Sequence, residues 1–197
     1  MKARPAPVAA TSLEGTPQMQ TKPFSCMGFT RRAALCLLGL VPARAAADFG
    51  PHRLRLYSTH TFKHIDIVYK IGGEPVDGAL ERLTHFLGDR CNARELPFDP
   101  ALFDVLTSLA HKVGRDEAEF QVICGYRSPE TNEMLRATTT GVARGSLHMQ
   151  ARAIDIRLPG TPTAVLRDAA IALGLGGVGY YRRSDFIHVD TGPVRRW

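Results

Sequence analysis

Two short apolar runs in the C-terminal half of the chain carry ionisable side chains where a β-strand has little room for them. One is Ala153-Ile154-Asp155-Ile156-Arg157-Leu158 and the other Phe186-Ile187-His188-Val189-Asp190. A carboxylate flanked by isoleucines is costly to bury unless it is paired or bound to a metal. The fold must therefore bring a counter-charge to Asp155. The remaining elements set the context. Leu54–Ser58 and Ile65–Tyr69 alternate apolar and polar residues as half-buried strands do, and Gly72-Gly73 marks a turn. Residues 77–87 and 100–113 repeat apolar side chains at helical spacing, through Leu80, Leu83, Phe86 and Leu87, then Leu102, Val105, Leu106 and Leu109. Residues 119–124 read as a buried strand. Ser128-Pro129-Glu130 opens a short helix with a capping serine, a first-turn proline and an acid. A Thr- and Gly-rich loop over 138–146, a strand over 153–158, a helix over 161–173 and strands over 177–181 and 186–190 complete the order. This irregular succession predicts an α+β domain with a mainly antiparallel sheet and helices packed on one face.

The chain has 197 residues, which suits one domain with a real core. Its first 47 residues read as an address. Phe29-Thr30-Arg31-Arg32 precedes the apolar run Ala33–Val41, then Pro42 and the small residues Ala43-Arg44-Ala45-Ala46-Ala47. A basic segment, a short apolar core and an alanine-rich exit make an export signal, and the paired arginines point to the twin-arginine machinery. The expected division is a signal over 1–47, cleaved after Ala47 or kept as an N-terminal anchor, and one functional domain over 48–197. That places the protein in the periplasm or cell envelope, with no membrane span after cleavage. The signal holds six basic residues and one acid, leaving 19 basic and 18 acidic residues in the remainder. The overall net charge of +6 thus belongs mostly to the signal, and nucleic-acid binding loses its support. Cys91 and Cys124 follow the signal. The sequence leaves open whether they form one disulfide or stay as two thiols.

The segment Ser146-Leu147-His148 … Asp155 ends a loop and enters a strand, and His188 sits in the second apolar run. Imidazole and carboxylate are the ligands zinc takes when sulfur is absent, and three protein ligands leave one position for water. Ser-x-His-(six residues)-Asp, followed by Asp-x-x-His, resembles the metal motifs of the D-Ala-D-Ala dipeptidase and carboxypeptidase family, zinc peptidases with the Hedgehog-like metallopeptidase fold. The stretches Gly125–Pro129, Gly141-Val142-Ala143, Ser146–Met149, Gly176–Tyr181 and Phe186–Gly192 are similar to its YcbK-like murein endopeptidase branch. The likeness runs from Leu54 to Trp197.

The resemblance implies one Zn2+ per chain, held by His148, Asp155 and His188. Asp185 would be the general base, Arg127 would stabilise the oxyanion, and Ser146 and Tyr126 would contact substrate. The substrate would be the stem peptides or cross-links of peptidoglycan. Ala151 departs from the pattern, since many relatives carry glycine there. Asp190 is read either as a partner of a ligand or as a turn-capping acid. A competing reading is a non-catalytic wall-binding module that keeps zinc for structure. Gly174–Gly179 matches GxGxxG but follows a helix and precedes a strand, so it is a turn. His60 and His64 are expected to be surface histidines.

Overall fold

A computed structural model describes residues 50–197; the expected export signal lies outside them. Strands β1 (Pro51–Ser58), β2 (His64–Ile71) and β3 (Glu74–Pro75) are followed by helices α1 (Ala79–Phe86) and α2 (Pro100–Lys112). Then come β4 (Phe120–Cys124), α3 (Pro129–Thr138), β5 (Ala153–Arg157), α4 (Thr163–Leu173), β6 (Gly177–Tyr181), β7 (Phe186–Asp190) and β8 (Arg195–Arg196). All strands join one sheet in the order β3-β2-β1-β4-β5-β7-β6-β8.

The α+β class stands, but the sheet is mixed. The pairs β1–β4 and β6–β8 are parallel and the other pairs antiparallel. A parallel pair needs a long crossover. The connection between β1 and β4 supplies it, with β2, β3, α1 and α2 intervening. Alternation along a single strand cannot reveal this, because each strand shows its own two faces and nothing of its neighbour's direction.

Period-two burial decides which face holds the core. Leu54, Leu56, Ile67, Tyr69, Phe120, Val122, Ile154, Ile156, Ile187 and Val189 form one cluster with Leu102, Leu106 and Leu109 of α2 and Leu166 of α4. Helix α1 packs on β2, α2 on β1, and α4 on β6 and β7. Residues of opposite parity, Asp155 on β5 and His188 on β7, therefore project from the other face. Helix starts follow sequence cues. The Asp99 carboxylate accepts from Ala101 N–H at 3.0 Å ahead of Pro100, and Ser128 Oγ accepts from Thr131 N–H at 3.2 Å ahead of Pro129.

Leu106 is fully buried between α2 and the sheet. Leu106→Ala should lower the unfolding free energy by about 2–5 kcal/mol in urea titrations. Val165→Ala, on the exposed side of α4, should change it by under about 0.5 kcal/mol. Equal small effects would show that this helix layer is not the core.

Candidate metal centre

The site is a row across three strands with one residue above it. Cys124 lies opposite Asp155 across β4–β5, and Asp155 opposite His188 across β5–β7. His148 comes from a 3-10 turn over Leu147–Gln150. Ser146 caps that turn, its hydroxyl accepting from His148 N–H at 3.3 Å.

Hydrogen bonds fix which nitrogen each imidazole presents. His148 Nδ1–H donates to the Gly125 carbonyl at 2.7 Å, which leaves Nε2 facing inward. His188 Nε2–H donates to Asp190 Oδ2 at 3.0 Å, which leaves Nδ1 facing inward. The two free nitrogens are 3.1 Å apart. His148 Nε2 lies 3.2 Å from Asp155 Oδ1, and His188 Nδ1 2.9 Å from the same oxygen. Three buried electron-pair donors in mutual contact repel unless a proton or cation sits among them. Ligand bonds of 2.0–2.2 Å give a zinc tetrahedron with edges of about 3.3–3.5 Å. The observed triangle is only a few tenths of an ångström tighter. Its atoms fit one face of such a site, and the residues present suit the metal.

The electrostatics match. Burial opposes charge on His148, but the Asp155 carboxylate and then the Cys124 thiol outweigh it and hold the imidazole well above its ordinary pKa. Burial likewise opposes ionisation of Asp155, and His148 and His188 reverse this, keeping it far below the usual carboxylate range. Asp190 is also held low against its burial by His188, Arg195 and the N–H groups of Gly192 and Gly177. A carboxylate behind an imidazole fixes its tautomer; Asp190 does this for His188 and also caps the following turn, accepting from Gly192 N–H at 2.8 Å, so both readings of it hold.

Arg127 borders the triangle. Its Nη2 lies 4.0 Å from Asp155 Oδ2 and 3.4 Å from Cys124 Sγ, and its Nη1 donates to Asn132 Oδ1 at 3.3 Å. Its Nε is buried with no hydrogen-bond partner among the described residues. Tyr126 is nearly buried and lines the adjoining cavity of about 450 Å³. Ser146 is buried, and its hydroxyl caps the 3-10 turn that carries His148.

Asp185 is the residue expected as the general base. It sits three residues before His188, about 10 Å along an extended strand. Its carboxylate accepts from Thr163 Oγ1 at 2.7 Å and lies 3.9 Å from Arg157 Nη1, with its side chain 64% exposed. Its left-handed backbone (φ 51°) ends a 3-10 turn and aims it at the start of α4. Among the described residues, no hydrogen bond or ion pair links Asp185 to His148, Asp155 or His188.

Other residues at the centre carried no sequence signal. Cys124 Sγ lies within 4.8 Å of ligand atoms on His148 and Asp155, yet Cys124 belongs to no cysteine motif. Cys91 and Cys124 are both free. Arg195 Nη2 donates to Asp190 Oδ2 at 2.7 Å, and the Trp197 ring lies 5.2 Å from that of His188.

Comparison with known proteins now adds to this geometry. The model of the peptidase family described as peptidoglycan L,D-endopeptidase MepK matches residues 45–197. The chain belongs to this family. Its relatives include the peptidoglycan L,D-endopeptidase MepK of Escherichia coli K12, 40% identical over 176 residues, or 85% of this chain and 96% of the relative. The probable peptidoglycan L,D-endopeptidase MepK of Haemophilus influenzae is 40% identical over 143 residues, or 70% and 77%.

The glycine that many family members carry at position 151 has a local reason. Ala151 is fully buried and left-handed (φ 51°) at the end of the 3-10 turn. Glycine takes that conformation without a Cβ penalty, so this chain accepts mild strain beside His148.

A metal must displace the proton that His148 holds below its raised pKa. Zinc affinity, measured by competition with a chromophoric chelator, should rise by about tenfold per pH unit for that one proton. The rise should continue above about pH 6.5, the ordinary histidine value, and level off only past the raised pKa of His148. A plateau already at about pH 6.5 would show that Asp155 does not hold that proton on His148.

Proposed function

We propose that this chain is an exported zinc-dependent endopeptidase that hydrolyses peptide bonds of peptidoglycan, in cross-links or stem peptides. The supporting observation is the triangle of His148 Nε2, Asp155 Oδ1 and His188 Nδ1 at 2.9–3.2 Å. It opens beside a cavity in a chain whose family is described as peptidoglycan L,D-endopeptidase. By that likeness, the bond cut joins an L-configured carbonyl to a nitrogen on a D-configured centre.

His148, Asp155 and His188 would hold the zinc. When bound, it supplies a water whose pKa falls to about 7 and a Lewis acid for the scissile carbonyl. The chain's own groups do the rest. Asp190 keeps the His188 proton on Nε2, and the Gly125 carbonyl keeps that of His148 on Nδ1. Both imidazoles thereby stay ligands and not acids. Arg127 brings a fixed guanidinium to the edge of the site, where carbonyl oxygen gains negative charge. A donor of this kind contributes about 3–4 kcal/mol to an acyl-transfer barrier when water is excluded. The unpartnered Arg127 Nε fits a group prepared for a further acceptor. The walls of the cavity, including Tyr126, receive the peptide. A wall-binding module would need neither the open side of the triangle nor an arginine beside it.

Digestion of chemically defined, cross-linked muropeptides followed by mass analysis tests this reading. Wild-type protein should cleave them, lose activity to a chelator and regain it with zinc. His188→Ala should abolish cleavage. Asp185→Asn separates the geometry from the motif. Loss of a general base costs about 10²–10⁴-fold, whereas a carboxylate engaged with Thr163 and Arg157 predicts a change within about threefold. A loss of 100-fold with zinc binding intact would restore Asp185 as the base.

The proposed export route rests on Arg31 and Arg32. Lysine at both positions should leave the precursor in the cytoplasm, followed by fractionation and blotting, while the unaltered chain is recovered from the periplasm in shortened form. Unchanged export of the double variant would rule out the twin-arginine route.

A further inference from the structure

The cavity that touches the metal centre at Asp155 and Arg127 has a second end, lined by His60, Lys63 and Arg90. Its volume of about 450 Å³ is that of a pocket for a peptide-sized ligand. The acids on this part of the wall each accept hydrogen bonds of their own. Asp89 is buried and accepts from Ser128 N–H at 2.7 Å and Cys91 N–H at 2.8 Å, and Glu95 is paired with His85 at 2.7 Å.

His60, Lys63 and Arg90 have no carboxylate partner among the described residues. His60 Nε2–H donates to the Ile123 carbonyl at 2.8 Å. With that proton committed, its Nδ1 is an acceptor and takes Arg90 Nη1–H at 3.2 Å. An imidazole nitrogen orients the guanidinium without cancelling its charge. Among the described residues, Arg90 has no carboxylate within ion-pair distance, and Lys63, on the same wall, has none either. The anchor is rigid, because Ile123 precedes Cys124 on β4 and Thr59 Oγ1 also donates to that strand, at the Val122 carbonyl (3.0 Å). A guanidinium held in place, with most of its N–H groups unused and open to a cavity, is a receptor for a planar anion.

We propose that Arg90, oriented by His60 and assisted by Lys63, is the subsite that receives a free carboxylate of the peptide being cleaved. This rests on the peptidase reading and adds a specificity determinant to it. The substrate then spans the cavity, its scissile bond at the triangle and its carboxylate on Arg90. A substrate whose carboxylates are converted to carboxamides loses the ion pair and keeps everything else.

The test uses two cross-linked peptides of identical sequence, one with free carboxylates and one with carboxamides, and the zinc-loaded enzyme. Wild type should favour the free acid by about tenfold in kcat/KM, through KM. Arg90→Gln should raise KM for the free acid by about tenfold, leave kcat within twofold and leave the carboxamide unaffected. Arg90→Lys, which keeps the charge, should recover part of the preference. Unaltered discrimination by Arg90→Gln, or none in wild type, would overturn the subsite. Calorimetric titration with an uncleavable analogue of the free acid, bearing a methyleneamine at the scissile position, separates this from failure of the peptidase reading. If wild type cleaves neither peptide, about tenfold weaker binding by Arg90→Gln still supports the subsite, and equal binding rejects it.

Discussion

The mutual approach of three electron-pair donors on the outer face of β5 and β7 is the constraint around which the C-terminal half is arranged. Two imidazole nitrogens and a carboxylate oxygen within 3.2 Å of one another cannot be left without positive charge between them. The surrounding structure does not relieve that crowding; it enforces it. A capped 3-10 turn presents His148 from above, the Gly125 carbonyl turns its ring, and Asp190 turns that of His188. Asp190 is itself buried, and its charge is met by Gly177 and Gly192 N–H groups and the Arg195 guanidinium. The end of the described chain thus supports the candidate metal centre, through Arg195 on Asp190 and the Trp197 ring beside His188.

Sheet order explains how residues so far apart in sequence meet. Antiparallel pairing of β5 with β4 and β7 places Cys124, Asp155 and His188 in one transverse row. Parallel pairing of β1 with β4 sends the chain out of β1 beside the end of β4. The loop carrying His60 is thereby tied to Ile123, next to the row. Helices pack on the opposite face, so the row lies apart from the helix layer. A fully antiparallel sheet would deliver the β1 exit to the other end of β4, and His60 would not reach this cavity.

The sequence disclosed the parts of this arrangement whose physics is local. Asp155 and His188 were legible because an ionisable group in an apolar strand has few affordable fates. His148 was legible through its spacing from Asp155. The helix starts at Pro100 and Ser128 were legible because caps and first-turn prolines act within three residues. For Asp185, motif spacing counts residues and does not register the left-handed turn that sets its carboxylate against Thr163. For Ser146, spacing likewise does not show that a hydroxyl two residues before His148 caps that residue's own turn. Cys124, Arg195 and Arg90 left no local signature at all. Their roles exist only once strand pairing or a cavity wall has brought them into place.

Charge is the property that composition conceals most completely here. Over residues 48–197, basic and acidic residues nearly cancel, and net charge would suggest no preference for anionic ligands. Cancellation in the sum is not cancellation in space. Asp66 is tied to Arg53 and Arg55 on the outer strands, Asp104 to Lys70, and Asp190 to Arg195. These acids are consumed by structure. Of the basic groups facing the cavity, Arg90 and Lys63 have no carboxylate partner among the described residues, whereas Arg127 lies 4.0 Å from Asp155 Oδ2. A field set by a few unpaired groups against low-dielectric walls acts on a bound peptide far more strongly than the chain's average does. An almost neutral domain can therefore still select for an anionic substrate.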